Sequence, residues 1–227
     1  LFITQTPQGF RYRNILKLHK KNNDKNITDD ASLFVNDDKK IHIINGEEQN
    51  FKITNNQDLN LFKNLKQKRI NYGIGFDIHK LEKKRKLYLG GITIPYHLGL
   101  RGHSDGDSVL HALIDSLLGA CGLKDIGTLF SDKSKKYKGI RSTKLLQKIL
   151  NLIKSKNYSI NNIDINIIAQ KPKIKKYANK MIKVISKICE INPNQINIKG
   201  KTTEKLGLIG KEKAIASEVI ASVIKND

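Results

Sequence analysis

The sequence predicts an α+β fold for residues 69–227, a ferredoxin-like layer with a mostly four-stranded sheet packed by helices. Short segments in which apolar and polar residues alternate, such as 163–167, are typical of half-buried strands. Longer segments with apolar residues at every third or fourth position, such as 107–118, are typical of amphipathic helices. The expected strands lie towards both ends of this region with helices between them, which favours an α+β layer.

The individual elements follow from these two periodicities. In chain order we expect strands at 70–79, 87–89 and 92–94, a helix at 107–118, a loop at 122–138, a helix at 145–153, a strand at 163–167, a helix at 174–188, a strand at 196–198 and a helix at 211–224. Ser142 is expected to cap the second helix, because serine accepts hydrogen bonds from the free N–H groups of a first helical turn. The prediction of the final helix is based on Ile215, Val219 and Val223, which recur at a spacing of four.

Residues 1–68 give weaker signals. Polar runs at 22–26 and 37–40 are not expected to form a core, and the apolar islands at 41–44 and 59–65 are short. The chain does not begin with Met, so we expect that its start is cut. We interpret this region as a low-complexity targeting extension because it is basic and polar. The alternative is a low-complexity insertion without a role.

The formal net charge of +21 narrows the function classes to consider. Such a charge is typical of proteins that bind polyanions, so a basic nucleic-acid-binding module is one alternative. Nucleic-acid surfaces usually combine Arg with interleaved aromatic residues, whereas Lys dominates here and aromatic residues make up only 6%. We therefore expect no nucleic-acid partner. No apolar run approaches the roughly 20 residues of a membrane span, so we expect no membrane partner.

Asp77, His79 and His111 are candidate metal ligands. Asp77 and His79 lie two residues apart on the first strand, so both side chains leave the same face of it. His111 belongs to the polar stripe of the helix at 107–118, and the three side chains converge if this helix packs on that strand. An Asp-His-His set with an open fourth position is typical of a catalytic Zn²⁺ site. The alternative, that His111 is an ordinary surface or hydrogen-bonded histidine, stays open on spacing alone.

Five short segments form a more specific signature when they occur together and in order. They are Gly-Phe-Asp-Ile-His at 75–79, Leu-Gly-Gly at 89–91, His-Ser-Asp-Gly-Asp at 103–107 followed by His111, Asp-Ile-Gly at 125–127 followed by Phe130, and Thr-Thr-Glu-Lys-Leu-Gly at 202–207. This signature resembles the 2-C-methyl-D-erythritol 2,4-cyclodiphosphate synthases of the non-mevalonate isoprenoid pathway. The resemblance covers essentially all of residues 69–227 and none of 1–68.

The resemblance implies a phosphorus–oxygen lyase that assembles as a homotrimer with active sites between subunits. Its substrate would be a cytidine diphosphate compound, 4-diphosphocytidyl-2-C-methyl-D-erythritol 2-phosphate. Its products would be 2-C-methyl-D-erythritol 2,4-cyclodiphosphate and CMP. The resemblance also implies that Asp77, His79 and His111 bind Zn²⁺, and that Glu204 lies near a second cation, Mg²⁺ or Mn²⁺.

The resemblance further assigns substrate-binding residues. His103 and Thr202 match phosphate-stabilising positions and would be catalytic. On the methylerythritol side the matching residues are Asp125, Ile126, Gly127, Phe130, Ser131, Asp132, Lys133 and Ser134. On the cytidine diphosphate side they are Ala169, Gln170, Lys171, Pro172, Lys173, Ile174, Lys175, Thr202, Thr203 and Glu204. The remaining matches are Asp77, His79, His103, Ser104, Leu208 and Lys211.

Some positions depart from the family pattern. Lys171 stands where many members have a small residue before the proline, and Gly200-Lys201 replaces a smaller, more neutral pair, so the detail of the nucleotide pocket stays open. Lys211 stands where bacterial members often carry an arginine that lines the trimer axis, so an axial ligand stays open. The pathway and the basic N-terminal region together predict a plastid protein, apicoplast-like, with a truncated transit peptide.

Two reaction types stay open for such a zinc site. In a synthase the 2-phosphate of the substrate attacks the β-phosphorus, so the enzyme supplies positioning and charge neutralisation rather than a nucleophile. The sequence agrees, because no Ser-His-Asp or Cys-His set is evident. In a zinc hydrolase the same ligands would activate a metal-bound water. The absence of an obvious general base beside the ligands disfavours the hydrolase.

Overall fold

The computed structural model describes residues 8–22, 29–35, 41–47, 50, 52–65, 69–130 and 139–226. The chain divides into two compact units, Leu1–Gln67 and Lys68–Asp227. We expected no core at the polar runs 22–26 and 37–40, and of these residues all but Asn22 lie outside the described residues. None of the helices in the described ranges is both long and apolar enough to cross a membrane.

The described part of the first unit is mainly helical. Its helices are α1 (Tyr12–Lys21), α2 (Asp30–Val35) and α3 (Asn56–Leu65). Leu18, Leu33 and Phe34 form a small buried cluster, and the rings of Phe10 and Phe34 stack with their centroids 4.9 Å apart. This cluster was not predicted, because its members lie on α1 and α2, two helices that the sequence analysis did not assign.

The second unit is a mixed sheet with packed helices. Its elements are β1 (Ile70–Glu82), β2 (Leu87–Leu89), β3 (Ile92–Ile94), β4 (Gly99–Leu100), α4 (Ser108–Ala120), α5 (Ile126–Leu129), α6 (Ser142–Ser155), β5 (Tyr158–Ile168), α7 (Ala178–Cys189), β6 (Ile196–Lys201), α8 (Gly207–Gly210) and β7 (Ala214–Lys225). The strand order is β4-β1-β7-β5-β6, in which only β5 and β6 are parallel, and β2 pairs with β3 in a separate hairpin. The predicted α+β class is confirmed, but the described sheet has five strands rather than four.

The predicted helix at 211–224 is wrong. Residues Ala214–Lys225 form β7, the central strand, which pairs with β1 on one side and β5 on the other. Ile215, Val219 and Val223 are fully buried, and a spacing of four places side chains on one face of a strand as well as of a helix. The two neighbouring strands satisfy the backbone hydrogen bonds of β7. Both are distant in sequence, so local periodicity could not reveal them.

Two further helix predictions need correction. The predicted helix at 174–188 is divided into a 3₁₀ turn, Ile174–Lys176, and α7. Ser142 does not cap α6, because it is the first helical residue and Arg141 occupies the N-cap position without a capping side chain. The Ser142 hydroxyl instead donates a hydrogen bond to Asp105.

Helix α4 lies directly on β1 because two glycines leave room for it. A Cβ at Gly73 would lie 2.1 Å from a backbone oxygen of α4, and a Cβ at Gly75 would lie 2.0 Å from the carbonyl oxygen of Ala112. Any larger residue would therefore collide with the helix backbone. Side chains alternate along a strand, so Asp77 leaves β1 on the same face as the glycines. This packing brings His111 of α4 beside Asp77.

Asp107 caps α4 and ties its start to the β2–β3 hairpin. Its carboxylate accepts the N–H groups of Leu110 at 3.1 Å, Gly90 at 2.9 Å and Gly91 at 2.7 Å. Burial raises the pKa of Asp107, and these hydrogen bonds partly compensate. Two signature segments, around Gly90 and Asp107, therefore meet to fix the beginning of the helix that carries His111.

We expect Gly75→Ala to lower the free energy of unfolding, because the added methyl group meets helix backbone that cannot rotate away. Overpacking of this kind costs about 1–3 kcal/mol. Denaturant unfolding followed by circular dichroism measures the change. Gly119→Ala on α4 is the matched control, since its Cβ would lie an ordinary 3.8 Å from Gly73 Cα and Ala is the better helix former. Unchanged stability of Gly75→Ala would contradict the close approach.

Candidate metal centre and substrate cleft

Three donor atoms from β1 and α4 form a compact triangle. Asp77 Oδ2 lies 2.9 Å from His79 Nε2 and 3.0 Å from His111 Nδ1, and the two nitrogens are 3.2 Å apart. Donors about 2.0–2.1 Å from a tetrahedral ion lie about 3.3 Å apart, so the triangle has the size of one face of a zinc tetrahedron. Within the described residues this is the one group of three or more side chains arranged to hold a metal ion.

The charge of this cluster is set by Asp77. Burial alone would raise the pKa of Asp77, but hydrogen bonds from His111 and His79 hold it well below its usual range. Burial also opposes a charged His111, yet the hydrogen bond and charge of Asp77, with the charges of Asp107 and Asp105, raise the pKa of His111. The cluster therefore stabilises positive charge at its centre. A divalent cation fits this donor set, because one carboxylate and two imidazole lone pairs would be satisfied together.

The outer nitrogen of His111 faces two hydroxyl groups. Ser104 Oγ and Ser142 Oγ each lie 2.9 Å from His111 Nε2. Ser104, which the resemblance places among the substrate-binding residues, is only 9% exposed and also accepts the N–H of Gly106 at 3.2 Å. The Ser104 hydroxyl is thus engaged with the histidine and the loop backbone.

The cluster opens into a cleft of about 660 Å³. The predicted residues that line the cleft beside the cluster are His103, Ser104, Ile126, Gly127 and Phe130. The short helix α5 is held in place from α4, because Asp115 Oδ1 accepts the N–H of Ile126 at 2.7 Å. Asp125 caps α5 by accepting the N–H of Thr128 at 2.7 Å. The predicted residues Ser131, Asp132, Lys133 and Ser134 lie outside the described residues.

The same cleft has three basic residues that were not predicted, Lys80, Arg85 and Arg101. Arg85 donates a hydrogen bond to the carbonyl oxygen of Gly102 at 3.3 Å, and Arg101 pairs with Glu82 at 3.4 Å. Lys80 directly follows the signature segment 75–79, and Arg101 lies two residues before the segment 103–107, which is the sequence signal that could have identified them. A cationic rim beside a metal cluster suits a ligand with several negative charges.

The residues predicted on the cytidine diphosphate side lie at another place on the unit. Strands β5 and β6 are parallel, so the segments that follow them, 169–175 and 202–207, leave the same edge of the sheet. The N–H of Ala169 donates to the carbonyl oxygen of Lys201 at 2.9 Å and joins the two segments. Neither segment contributes to the described lining of the cleft around Asp77.

Thr202, Thr203 and Glu204 form a polar turn at this edge. Thr202 Oγ1 donates to Glu204 Oε1 at 2.5 Å, and Thr203 Oγ1 donates to the carbonyl oxygen of Leu206 at 2.9 Å. Glu204 is exposed and does not belong to the Asp77 cluster. Within the chain, the predicted ligand of the second cation is therefore not part of the group formed by the three predicted zinc ligands.

The structure gives Lys171 a partner within its own unit. Its Nζ lies 3.1 Å from Glu212 Oε1, and the hydroxyl of Tyr96 donates to Glu212 Oε2 at 2.9 Å. Burial and the adjacent Glu212 raise the pKa of Tyr96 to about 12. The peptide bond between Lys171 and Pro172 is cis. The positive charge of Lys171 is therefore balanced by Glu212 beside the predicted nucleotide segment.

The other predicted residues at this edge differ in exposure. Ile174 is only 4% exposed, and a Cβ at Gly200 would lie 2.9 Å from its Cβ. The glycine at this departure from the family pattern thus makes room for a buried isoleucine. Leu208 is exposed on α8, and exposed Lys211 follows the end of that helix. Lys173 and Lys175 are exposed, whereas Ala169 is buried.

Two family models match the chain. The YgbB family matches residues 70–224, and the 2-C-methyl-D-erythritol 4-phosphate cytidylyltransferase model matches residues 1–66. The bifunctional enzyme IspD/IspF of Pelagibacter ubique is 59% identical over 227 residues, which is 100% of this chain and 60% of that protein. The 2-C-methyl-D-erythritol 2,4-cyclodiphosphate synthase of Clostridium botulinum is 54% identical over 153 residues, 67% of this chain and 98% of that protein. The solved structure of Plasmodium falciparum IspF in complex with CDP has a TM-score of 0.61 at 43% identity, over 70% of this chain and 97% of that chain.

The predictions of a plastid protein and a transit peptide are wrong. Bifunctional relatives that match nearly the whole chain are bacterial, and residues 1–66 match a cytidylyltransferase family. The basic composition was misleading because Lys and Arg are abundant throughout the chain, 42 of 227 residues. Such a composition does not distinguish a targeting segment from part of a folded domain. The chain spans 53–60% of the length of the curated bifunctional relatives that it matches.

The YgbB match extends over more than half of the chain and includes both the candidate metal ligands and the polar turn at 202–207. The chain also covers 98% of a synthase to which it is 54% identical. The chain therefore belongs to the YgbB family.

Proposed function

We propose that residues 69–227 form a 2-C-methyl-D-erythritol 2,4-cyclodiphosphate synthase. It would convert 4-diphosphocytidyl-2-C-methyl-D-erythritol 2-phosphate into 2-C-methyl-D-erythritol 2,4-cyclodiphosphate and CMP. The observation that carries this proposal is the triangle of Asp77, His79 and His111, which opens into a cleft with a cationic rim. The high identity to a synthase over the same residues supports the substrate.

The residues of the two regions would divide the chemistry between them. Asp77, His79 and His111 would hold Zn²⁺, which acts in such a site as a Lewis acid towards a phosphate oxygen. Glu204 would hold the second cation, Mg²⁺ or Mn²⁺. His103 and Thr202 would donate hydrogen bonds to the charge that develops on the phosphates. The enzyme needs no nucleophile of its own, because the 2-phosphate of the substrate attacks the β-phosphorus.

One set of hydrogen-bonded side chains suggests an alternative mechanism with a serine nucleophile. Asp77, His111 and Ser142 are joined by hydrogen bonds in the order of a Ser-His-Asp triad. Ser142, however, is fully buried, and its hydroxyl donates to Asp105. A nucleophile must reach the substrate, so this arrangement disfavours acyl- or phosphoryl-enzyme chemistry at Ser142.

We propose a homotrimer in which the active sites lie between subunits. One face of β1 presents a row of apolar side chains to solvent, namely Ile70, Tyr72, Ile74, Phe76 and Ile78, which are 41–69% exposed. Ile220 on β7 pairs with Ile74 and is 49% exposed. A contiguous apolar surface of this kind is typical of a protein interface. Glu204 does not lie with Asp77, His79 and His111 within one chain. Assembly would let Glu204 of one subunit approach these three candidate ligands in a neighbouring subunit.

The second family match concerns residues 1–66. We propose that residues 1–66 belong to a 2-C-methyl-D-erythritol 4-phosphate cytidylyltransferase domain, on the strength of the family match. The whole protein would then carry two enzymes, as the name of its Pelagibacter ubique relative states of that protein.

We expect His79→Ala and His111→Ala to lose bound zinc while the fold is largely kept. The affinity loss should exceed the roughly 10–100-fold that removal of an outer partner costs, since a direct ligand is removed. Elemental analysis after dialysis against zinc measures the metal content, and the rate of CMP release reports activity. His97→Ala is the control, because the ring of His97 lies against that of Tyr96, with centroids 4.5 Å apart, and His97 does not belong to the cluster. Full zinc content in both ligand variants would overturn the assignment.

Cyclisation and hydrolysis differ in the source of oxygen. In ¹⁸O-labelled water the proposed synthase should release CMP and a cyclic diphosphate that carry no label, because no water enters the reaction. A zinc hydrolase with the same ligands would place one labelled oxygen in a phosphate of its product. Mass spectrometry of both products after many turnovers separates the two. Incorporation of one label per turnover would reject the synthase and favour the hydrolase.

We expect Ile74→Asp and Phe76→Asp to convert the trimer into monomers of 25.7 kDa, because each places a charge inside the proposed apolar interface. Analytical ultracentrifugation measures the mass, and activity should fall with it. Val35→Asp on α2, where the valine is 60% exposed, controls for the replacement of an exposed apolar residue by aspartate. A trimeric mass in both β1 variants would mean that this face is not the interface.

A further inference from the structure

A hydrogen-bonded chain extends from His111 away from the metal cluster. His111 Nε2 lies 2.9 Å from Ser142 Oγ, and the hydroxyl of Ser142 donates to Asp105 Oδ1 at 2.5 Å. Ser142 is fully buried, and the side chain of Asp105 is 5% exposed. Neither residue was among the predicted site residues. Both are placed where they can act on His111 and not on a substrate.

The available donors decide which group donates each hydrogen bond between His111, Ser142 and Asp105. His111 Nδ1 faces Asp77 and His79, so a bound metal would take its lone pair and leave the proton on Nε2. The hydrogen of the Ser142 hydroxyl is already directed to Asp105. The Ser142 oxygen is therefore free to accept the N–H of His111, and the carboxylate makes it a better acceptor.

Asp105 is itself held rigidly. Its carboxylate accepts the backbone N–H of Ser142 at 3.2 Å and pairs with Arg141 Nε at 3.1 Å. The guanidinium of Arg141 lies 4.0 Å from the ring centre of Tyr88 and donates to the carbonyl oxygen of Gly91 at 3.2 Å. The series of hydrogen bonds that starts at His111 thus ends at the beginning of α6 and in the β2–β3 hairpin, which are fixed parts of the fold.

We propose that Ser142 and Asp105 are positioning residues of the metal centre. They hold the imidazole of His111 in the tautomer and ring orientation that direct the Nδ1 lone pair towards Asp77 and His79. This inference rests on the proposed metal centre. It also explains why Ser142 does not cap α6, since its hydroxyl is used between two tertiary partners.

The test compares zinc affinities of four proteins by competition with a chromophoric chelator. Relative to the wild type, Ser142→Ala and Asp105→Asn should bind zinc about 10-fold more weakly or worse, within the roughly 10–100-fold range of lost outer partners. Ser104 remains beside His111 in both variants and can still accept its N–H. We therefore expect a loss of zinc affinity near the lower end of this range. Ser108→Ala is the matched control. Ser108 is an equally buried serine on α4, and its hydroxyl contacts Ser217 at 2.9 Å rather than His111.

Two further measurements separate positioning from general damage. The visible absorption spectrum of Co²⁺ in the site should change in Ser142→Ala and Asp105→Asn but not in Ser108→Ala, because it reports ligand geometry. Thermal unfolding without metal shows whether each variant is folded. If Ser142→Ala does not fold, Asp105→Asn, which retains the hydroxyl, decides the question alone.

The outcomes also distinguish this inference from the proposed function. Wild-type zinc affinity with an unchanged Co²⁺ spectrum in a folded Ser142→Ala or Asp105→Asn would overturn the positioning role. An equal loss in Ser108→Ala would also overturn it, since the effect would then be one of packing. Absence of zinc binding by the wild-type protein would instead overturn the metal centre on which the inference rests.

Discussion

The close approach of α4 to β1 is the constraint on which the site depends. It is made possible by glycines at 73 and 75, where a Cβ would lie about 2 Å from backbone oxygens of the helix. The pleat of the strand continues the same face through Asp77 and His79, and α4 presents His111 to that face. The donor triangle is thus a consequence of backbone packing and strand register. A larger residue at 73 or 75 would force the backbone of α4 away from β1, and the donor atoms that now lie 2.9–3.2 Å apart would move with it.

The same register gives β1 a second role. Residues 73, 75, 77 and 79 face α4, while the intervening residues point to the other side of the sheet. On that side Tyr72, Ile74 and Phe76 are 56–69% exposed. One strand therefore supplies two candidate metal ligands on one face and an apolar surface on the other. A slip of one residue would exchange the two faces, so the donor set and the proposed interface are specified by the same backbone hydrogen bonds to β7.

The sequence was informative where the physical signal is local. The i, i+2 spacing of Asp77 and His79 and the amphipathic pattern of α4 are each contained in one element, and both led to the observed cluster. Prediction from the sequence failed where residues distant in the chain determine the local structure. β7 is a strand because β1 and β5 flank it, and Ser142 turns to His111, 31 residues away, instead of capping its own helix. The basic, polar composition of residues 1–68 carried no positional information, so it could not separate a leader from part of a folded domain.

The separation of the two polar regions gives the proposed trimer its chemical reason. The candidate metal ligands lie where α4 packs on β1, while the turn with Thr202 and Glu204 follows the ends of β5 and β6. A substrate with a diphosphate between a cytidine and a methylerythritol must contact both regions at once if both bind it. Within one subunit the turn does not contribute to the described lining of the cleft around the cluster. Under the proposed function, the catalytic site is therefore complete only in the trimer, because the ligand of the second cation and the zinc ligands would belong to different copies of the chain.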